Sequence, residues 1–229
     1  MELIINQTQS ISELGFEING YPKIPSPVQR VERVTVDGRD GELIIKKGYS
    51  NIVYKIELNA LEDSVVNPLF RELKSILRKA ETIQLSNDKE IYYKVLNAEF
   101  GDMENELEVY GLFEVSFELS PHAYYTAEDA KTVTTTLTFD NLGFDESLPE
   151  MTVFGSGTCK FSVNGAEITV NGVSEYVTID SQIEECYKGQ VSMNSMMIGT
   201  FPKLVEGKNT VKVISGITKI EIKPRWRAI

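Results

Sequence analysis

The sequence has 229 residues, of which 41% are hydrophobic and 25% charged, and its formal net charge is −11. This length fits one large domain or two ordinary ones, each able to bury a core without metals or disulfides. The negative charge argues against a general nucleic-acid-binding protein, because phosphate binding depends on Lys and Arg. Apolar runs stay well short of the roughly 18–20 residues of a membrane span. We therefore expect neither nucleic acid nor membrane as a partner.

The acidic charge is distributed unevenly along the chain. Residues 1–125 contain 21 acids and 13 bases, whereas residues 126–229 contain 13 acids and 10 bases. From Asp102 to Glu118 there are six acids and no base. Two interpretations stay open: solvated faces, or complementary patches on an assembling subunit that guide encounter and register. The start, Met1–Asn6, lacks the features of a signal peptide, so we expect synthesis in the cytoplasm.

Period-two alternation dominates the first half of the chain and predicts half-buried strands. The earliest candidates are Val31–Val36 and Leu43–Lys46, on either side of a glycine-rich turn, followed by Ile52–Leu58. One helix is predicted over residues 67–80, with Asn67 as its cap and Pro68 in its first turn. Its apolar stripe, spaced by three and four residues, should pack onto a sheet; the stripe consists of Leu69, Phe70, Leu73, Ile76 and Leu77.

A long hairpin is predicted next. Ile91–Phe100 is one strand and Glu106–Leu119 is the other. Gly111 falls on the apolar face of the second strand, where it predicts either a bulge or a close approach. The turn between them consists of Gly101, Asp102, Met103, Glu104 and Asn105. Pro121 cannot donate to a strand ladder, so the second strand should stop there. These signals predict a domain boundary, with domains at 1–125 and 126–229.

The second domain shows short, regularly spaced strands and glycine turns, a pattern typical of a β-sandwich. Asn164–Gly165 is a strong two-residue hairpin signal. Asn171–Gly172 should turn the chain again, and Ser215–Gly216 should separate the last two strands, Thr210–Ile214 and Thr218–Lys223. The predicted fold class is therefore mainly β (α+β), with a β-rich first domain that carries one helix and a long hairpin.

Candidate catalytic chemistry is sparse. His122 is the single histidine, and it stands beside a proline at the predicted boundary. Cys159 and Cys186 have neither a CxxC spacing nor a neighbouring histidine, so we predict two free, structural thiols. The sequence thus predicts no catalytic, metal-binding or cofactor-binding residues and no enzyme.

Carboxylates are the remaining catalytic possibility, since a glycosidase needs two across a cleft. The candidates are Asp140, Asp145, Glu146 and Asp180, but nothing in the sequence pairs them. Asp180–Ser181 fits better as a turn that ends a strand, because Asp bonds its own backbone there. Trp226, the single tryptophan, is expected to pin the chain end to the second domain, with a protein interface as the alternative.

Several segments resemble the distal tail proteins (Dit-like tail hub components) of long-tailed bacteriophages. The N-terminal domain of that family is similar to Val36–Leu43 and to the junction Leu119–Tyr124. Its C-terminal domain is similar to four later segments: Tyr176–Ser181, Cys186–Gly189, Gly199–Thr210 and Pro224–Arg227. The resemblance covers nearly the whole chain in the same order, through turns and strand ends rather than a catalytic signature.

The resemblance implies a virion structural protein from a siphovirus or prophage. In that family an N-terminal domain forms a ring, expected to be a hexamer, at the distal end of the tail. A galectin-like sandwich, here residues 126–229, projects outward. Such a baseplate hub joins the tail tube protein, the tail-tip protein and receptor-binding proteins, and is assembled in the bacterial host cytoplasm.

Three further hypotheses accompany this interpretation. The hairpin at Gly101–Asn105 could clasp a neighbouring copy in the ring. The C-terminal sandwich could instead act as a carbohydrate-binding module, although the histidine–asparagine–arginine cluster of galectins has no counterpart in it. A carboxylate-dependent hydrolase is the third, and it requires a hidden acid pair.

Overall fold

The computed structural model describes residues 1–60, 66–102, 104–107, 110–127 and 129–229. About three fifths of the chain is β-strand, as the alternation predicted, and the described part divides into two compact units, Met1–Thr126 with Ile229, and Ala127–Ala228. Among the described helices, none is long and apolar enough to span a membrane.

The first unit is an antiparallel sheet with one helix packed on it. Its elements are β1 Leu3–Ile5, β2 Gln9–Ser10, β3 Phe16–Ile18, β4 Gln29–Thr35, β5 Glu42–Tyr49, β6 Ile52–Ala60, α1 Val66–Leu77, β7 Thr82–Leu85, β8 Asp88–Phe100, β9 Glu104–Leu107 and β10 Tyr110–Tyr125. A one-turn 3₁₀ helix, Ile11–Leu14, precedes β3. In space the sheet order is β2-β1-β7-β8-β10-β6-β3, and β9 pairs with the start of β10.

Helix α1 buries the apolar stripe that the sequence predicted. Leu73 and Leu77 are fully buried, and the Phe70 ring lies 4.5 Å from that of Phe113 on β10. The helix ends at Leu77, three residues before the predicted end, and continues as hydrogen-bonded turns to Ala80. Its first helical residue is Val66, so the predicted cap Asn67 falls within the helix.

Strand β10 confirms the predicted alternation but does not end at Pro121. Phe113, Val115, Phe117 and Leu119 are buried on one face. The strand continues to Tyr125, and its pairing with β8 shifts register between Leu119 and Ala123. Pro121 sits inside this irregularity, where a missing N–H costs no ladder bond. A bulge therefore accommodates the proline that we expected to stop the strand.

The second unit is built on three long strands. The elements of this unit are β11 Lys131–Val133, β12 Thr136–Asp140, β13 Glu150–Val163, β14 Ala166–Asp180, β15 Glu185–Lys188, β16 Val191–Ser192, a 3₁₀ turn Asn194–Met196, β17 Met197–Ile198, β18 Lys208–Lys223 and β19 Arg227–Ala228. The three long strands pair in the order β18-β13-β14, with shorter strands on both sides.

The two outer long strands, β14 and β18, change partners along their length, whereas β13 lies between them throughout. The first part of β18 pairs with β12 and its last part with β11, while β14 pairs first with β17 and then with β15. Bulges separate these parts. This exchange of partners is the pairing that a two-layer sandwich requires, and the galectin-like classification stays a prediction.

Two expected turns are bulges instead. Asn171–Gly172 lies within β14, where two residues oppose Thr158 between the pairs Gly157↔Val173 and Cys159↔Val170. Ser215–Gly216 lies within β18, beside Gly155 of β13. A glycine with positive φ fits either a turn or a bulge, so its sequence signal cannot separate them. Asn164–Gly165 is the tight hairpin turn that was predicted, with φ values of 51° and 86°.

Candidate interaction surface

Strands β4 and β5 form a two-stranded sheet of their own, which we call the arm. They pair from Gln29↔Tyr49 to Thr35↔Glu42, and neither strand belongs to the main sheet of the first unit. The sequence predicted both strands, and their existence is confirmed. It did not indicate that the pair would stand apart from the sheet.

The arm exposes apolar side chains on both faces. Opposed residues share a face, so Ile44 lies with Arg33 on one side, while Ile45 lies with Glu32 on the other. Ile44 is 56% exposed and Ile45 is 45% exposed. A two-stranded ribbon is only marginally stable alone in water. Exposed branched residues on such a ribbon indicate a surface that another molecule covers.

Ion pairs also run across the arm. The Arg33 guanidinium lies 3.0 Å from a Glu42 oxygen, and Lys47 Nζ lies 3.0 Å from Glu32. All four side chains are 44–60% exposed, so each pair contributes little to stability. Their effect is to fix the register of the two strands and to place charge between the apolar side chains.

The base of the arm rests on the sequence's single histidine. Tyr49, the last residue of β5, packs edge-on against His122, with ring centroids 6.0 Å apart and planes at 81°. His122 is buried and lies inside β10, at the bulge around Pro121. It is therefore a packing residue within the last strand of the first unit, close to the end of that unit at Thr126.

A groove of about 490 Å³ lies in the first unit, between the segment before the arm and the outer side of β6. Tyr21 and Ile24 line it from the segment, and Val53 lines it from β6. These three side chains are 91%, 70% and 57% exposed. Pro22 and Pro25 stand next to the apolar residues Tyr21 and Ile24. This proline-rich segment was the sequence signal for the surface, and it was not recognised from the sequence.

The predicted turn Gly101–Asn105 does not join the two strands of the hairpin directly. Phe100 already pairs with Val115, and Glu104–Leu107 is strand β9, which pairs back onto Tyr110–Leu112. Strands β9 and β10 therefore pair antiparallel after the predicted turn, and Gly101 and Asp102 belong to no strand. A register shift beside Gly111 confirms the predicted bulge. Met103 lies outside the described residues.

In the second unit, Asp180 confirms its prediction as a strand-ending turn. Its Oδ1 accepts a hydrogen bond of 2.9 Å from the Gln182 backbone N–H. Arg225 donates to both Asp180 oxygens, at 2.6 and 2.8 Å, and to Glu150 at 2.8 Å. Burial would raise the pKa of Asp180, but the Arg225 and Gln182 hydrogen bonds outweigh it and hold the pKa below its usual value.

The four candidate acids have separate environments. Glu146 pairs with Lys203 at 2.8 Å, Asp145 lies 3.5 Å from the Arg227 guanidinium, and Asp140 ends β12. Arg225 stabilises the ionised form of Asp180, whereas a glycosidase acid needs a raised pKa. Within the described residues, we find no group of three or more His, Cys, Asp or Glu side chains placed to hold a metal ion.

The cysteines and the tryptophan are part of the packing. Cys159 and Cys186 are both free and fully buried. Burial raises the pKa of the Cys186 thiol to about 11, so burial rather than the neighbouring acids suppresses its thiolate. Trp226 is 2% exposed, with its ring centroid 6.2 Å from that of Phe139, as expected for a residue that pins the chain end.

No protein-family model and no curated protein matches the sequence. The fold, however, is shared with solved structures: it is the Dit-like fold of phage tail hub proteins. One solved structure that it resembles over nearly its whole length is the Dit protein (gp 19.1) of phage SPP1, a paradigm of the hub adsorption apparatus in phages that infect Gram-positive bacteria. That alignment has a TM-score of 0.67 and 16% identity, and covers 96% of this chain and 97% of the SPP1 chain.

A chain from the phage p2 baseplate in its activated conformation also aligns, with a TM-score of 0.50 and 9% identity. It covers 96% of this chain and 95% of the p2 chain. At such low identity, the likeness shows the fold of both units and leaves each side chain to be argued from its own surroundings.

Proposed function

We propose that this chain is a structural, non-enzymatic hub protein at the distal end of a phage tail. The observation that carries the proposal is the match to SPP1 Dit, which includes both units in order and nearly the full length of each chain. An unrelated module would match one unit only. The exposed arm and the arginine-neutralised Asp180 support a binding role over a catalytic one.

We further propose that copies of the first unit assemble into a ring, expected to be a hexamer. A closed ring brings one patch of a subunit against a different patch of the next. The arm supplies one such patch. Residues 20–50 contain six bases and four acids, whereas the rest of residues 1–125 contains seven bases and seventeen acids. Segment 20–50, which contains the arm, is thus opposite in net charge to the rest of residues 1–125, and this charge difference favours contact between neighbouring copies.

The remaining partners follow from a hub at the tail end: the tail tube protein, the tail-tip protein and receptor-binding proteins. In this proposal the second unit carries contacts outside the ring. Assembly takes place in the bacterial host cytoplasm. The predicted ring-clasping role of Gly101–Asn105 stays a separate proposal, which intact rings after deletion of 101–105 would remove.

Mass photometry and negative-stain microscopy of the purified protein test the ring. We expect particles with a central hole and a mass near 154 kDa, six times the 25.7 kDa chain. The double variant I44D/I45D places a charge on each face of the arm and should leave single chains of 25.7 kDa. Val191 is 68% exposed in the second unit, so V191D is the matched control and should keep the rings.

Wild-type protein that stays a single chain, alone and with purified tail tube and tail-tip proteins, would contradict the hub proposal. Rings that survive I44D/I45D would contradict the assignment of the arm alone. Circular dichroism of both variants distinguishes a lost interface from a lost fold.

A further inference from the structure

The proline-rich segment before the arm, residues 21–28, has a backbone that its own sequence restricts. Its three prolines fix φ at about −65°, and the residue before each proline is confined to extended or polyproline II conformations. Between Tyr21 and Pro27, only Lys23 escapes both restrictions. Residues 21–27 belong to no strand or helix, and no backbone hydrogen bond among the described residues involves them. These are the properties of a polyproline II helix, which has no internal hydrogen bonds.

Side-chain exposure along this segment follows the same helix. With three residues per turn, Tyr21 and Ile24 lie on one edge, and Pro22 and Pro25 lie on the next. Tyr21 and Ile24 are 91% and 70% exposed, whereas both prolines are half-buried and line the groove beside β6. Lys23, on the third edge, is exposed. The segment therefore rests on its proline edge and presents an apolar edge and a charged edge to solvent.

The other charged side chains of the adjoining groove are already engaged. Lys55 Nζ lies 2.7 Å from a Glu114 oxygen, and Asn19 Nδ2 donates to Glu57 at 3.2 Å. Lys23 lines the same groove and has no ion-pair partner among the residues that the structure describes. An incoming molecule thus meets one available cation beside two exposed apolar side chains.

We propose that this segment is a preformed recognition motif for a partner protein whose groove is lined by aromatic side chains and bordered by an acid. The apolar–proline pairs Tyr21–Pro22 and Ile24–Pro25 repeat at the three-residue spacing of polyproline II ligands, which dock in such grooves. Proline and tyrosine rings offer flat apolar surfaces to aromatic side chains, and an acid complements Lys23. Because the segment is already rigid, little conformational entropy is lost on binding.

A different protein suits this segment better than a second copy of the chain does. In the described part of the chain, the recess of about 590 Å³ in the second unit has one aromatic side chain, Phe201. The recess of about 370 Å³ along helix α1 has none. Neither offers an aromatic-lined groove. The inference therefore goes beyond the hub proposal and does not rest on the ring.

Immobilised SH3, WW and EVH1 domains are the probes, since they bind polyproline II ligands in aromatic-lined grooves. Biolayer interferometry with the full-length protein should show saturable binding to at least one domain. The double variant Y21S/I24S removes the apolar edge and should weaken binding about tenfold. The double variant Pro22→Ala/Pro25→Ala keeps that edge but frees the backbone, and should weaken binding about fivefold.

Matched controls replace the same residue types elsewhere. V191S changes a side chain that is 68% exposed in the second unit, and Pro68→Ala changes an exposed proline in helix α1. Both should bind as the wild type does. Because residues 21–27 belong to no strand or helix, both double variants should keep the circular dichroism spectrum and a Tm close to that of the wild type. A loss of binding then cannot be attributed to unfolding.

The proposal is overturned if no domain binds the wild type, or if both double variants bind as tightly as the wild type. It is also overturned if Y21S/I24S abolishes rings in mass photometry, because the segment would then be a contact between copies. Wild-type protein that stays a single chain would contradict the ring and leave the binding result unchanged, so the two proposals fail separately.

Discussion

Arg225 joins the ends of two neighbouring strands by donating to Asp180 at 2.6 and 2.8 Å and to Glu150 at 2.8 Å. Glu150 begins β13 and Asp180 ends β14, and the two are paired residues in the register. The hydrogen bond and the negative charge of Asp180 raise the pKa of Arg225 further, in spite of burial. This ion triad of Arg225, Asp180 and Glu150 fixes the turn that begins at Ser181.

Replacement of Arg225 by methionine should destabilise the protein by about 2–4 kcal/mol. Asp180 then loses its counter-ion, and Glu150 keeps only Lys223, at 2.9 Å. The value lies below that for a fully buried pair, since the Arg225 side chain keeps 24% exposure. Urea unfolding followed by tryptophan fluorescence measures it through Trp226. K212M, at an exposed position, should change stability by less than about 0.5 kcal/mol. Equal stabilities for the two variants would show that the ion triad does not stabilise the fold.

The pKa of Asp180 predicts a pH dependence. Its folded-state pKa lies below the ordinary value of 3.8, so the unfolded chain binds the proton more readily than the folded chain. The stabilisation is therefore full above that ordinary value and is lost as pH falls through the lowered folded-state pKa. The stability difference between wild type and D180N should stay constant from about pH 7 to 5 and shrink below about pH 4. A difference that grows on acidification would contradict the assignment.

Sequence patterns predicted local structure well where both flanking strands end at the predicted turn. Asn164–Gly165 forms its hairpin turn because both residues accept positive φ between strands of matched length. Asn171–Gly172 has the same two residue types but lies in a bulge. The difference comes from the partner strand β13, which continues past Gly157 and keeps β14 paired. The pairing of β14 with β13 is a non-local interaction, so the residues next to Asn171 and Gly172 in sequence do not predict it.

The candidate surfaces show a similar limit. Alternation predicted both strands of the arm, but in most hairpins such a pattern buries one face, and here both faces are exposed. In the second unit, a recess of about 590 Å³ is lined by residues from Glu146 to Lys203, and only the fold brings them together. Asp180 was interpreted correctly as a turn residue because that interaction is local. Its long-range partner Arg225 was not predictable from spacing.

Loss of the aromatic contact at the base of the arm should make the two arm strands more mobile. In H122A, Tyr49 loses the ring that it packs against at 6.0 Å. We expect faster hydrogen exchange at the backbone amides of β4 and β5, and fewer rings, while the amides of β6 keep their protection. H122F retains an aromatic ring and is the matched control. Unchanged exchange in H122A would mean that the arm is held by other contacts.

Cys186 should be inert in the folded protein. With its pKa at about 11, only roughly one thiol in several thousand is ionised at pH 7.5, and the side chain is fully buried. Burial also raises the pKa of Cys159. Titration with a disulfide reagent such as DTNB should therefore find almost no fast-reacting thiol in native protein. The same titration in guanidinium should find both, and rapid native labelling at either site would contradict the burial.

The close approach of the paired strands β13 and β18 should tolerate no side chain at Gly155. A Cβ there would lie 2.1 Å from the Gly216 carbonyl oxygen and 2.8 Å from Cys159 Sγ, so one of the two strands must move. We expect G155A to lower the free energy of unfolding by about 3 kcal/mol or more. Gly172 is the matched control: its φ of 67° makes alanine strained, but a Cβ there meets nothing within 4 Å, so G172A should cost about 1–2 kcal/mol. If urea unfolding gives the two alanine variants the same stability, backbone conformation rather than close approach accounts for both glycines.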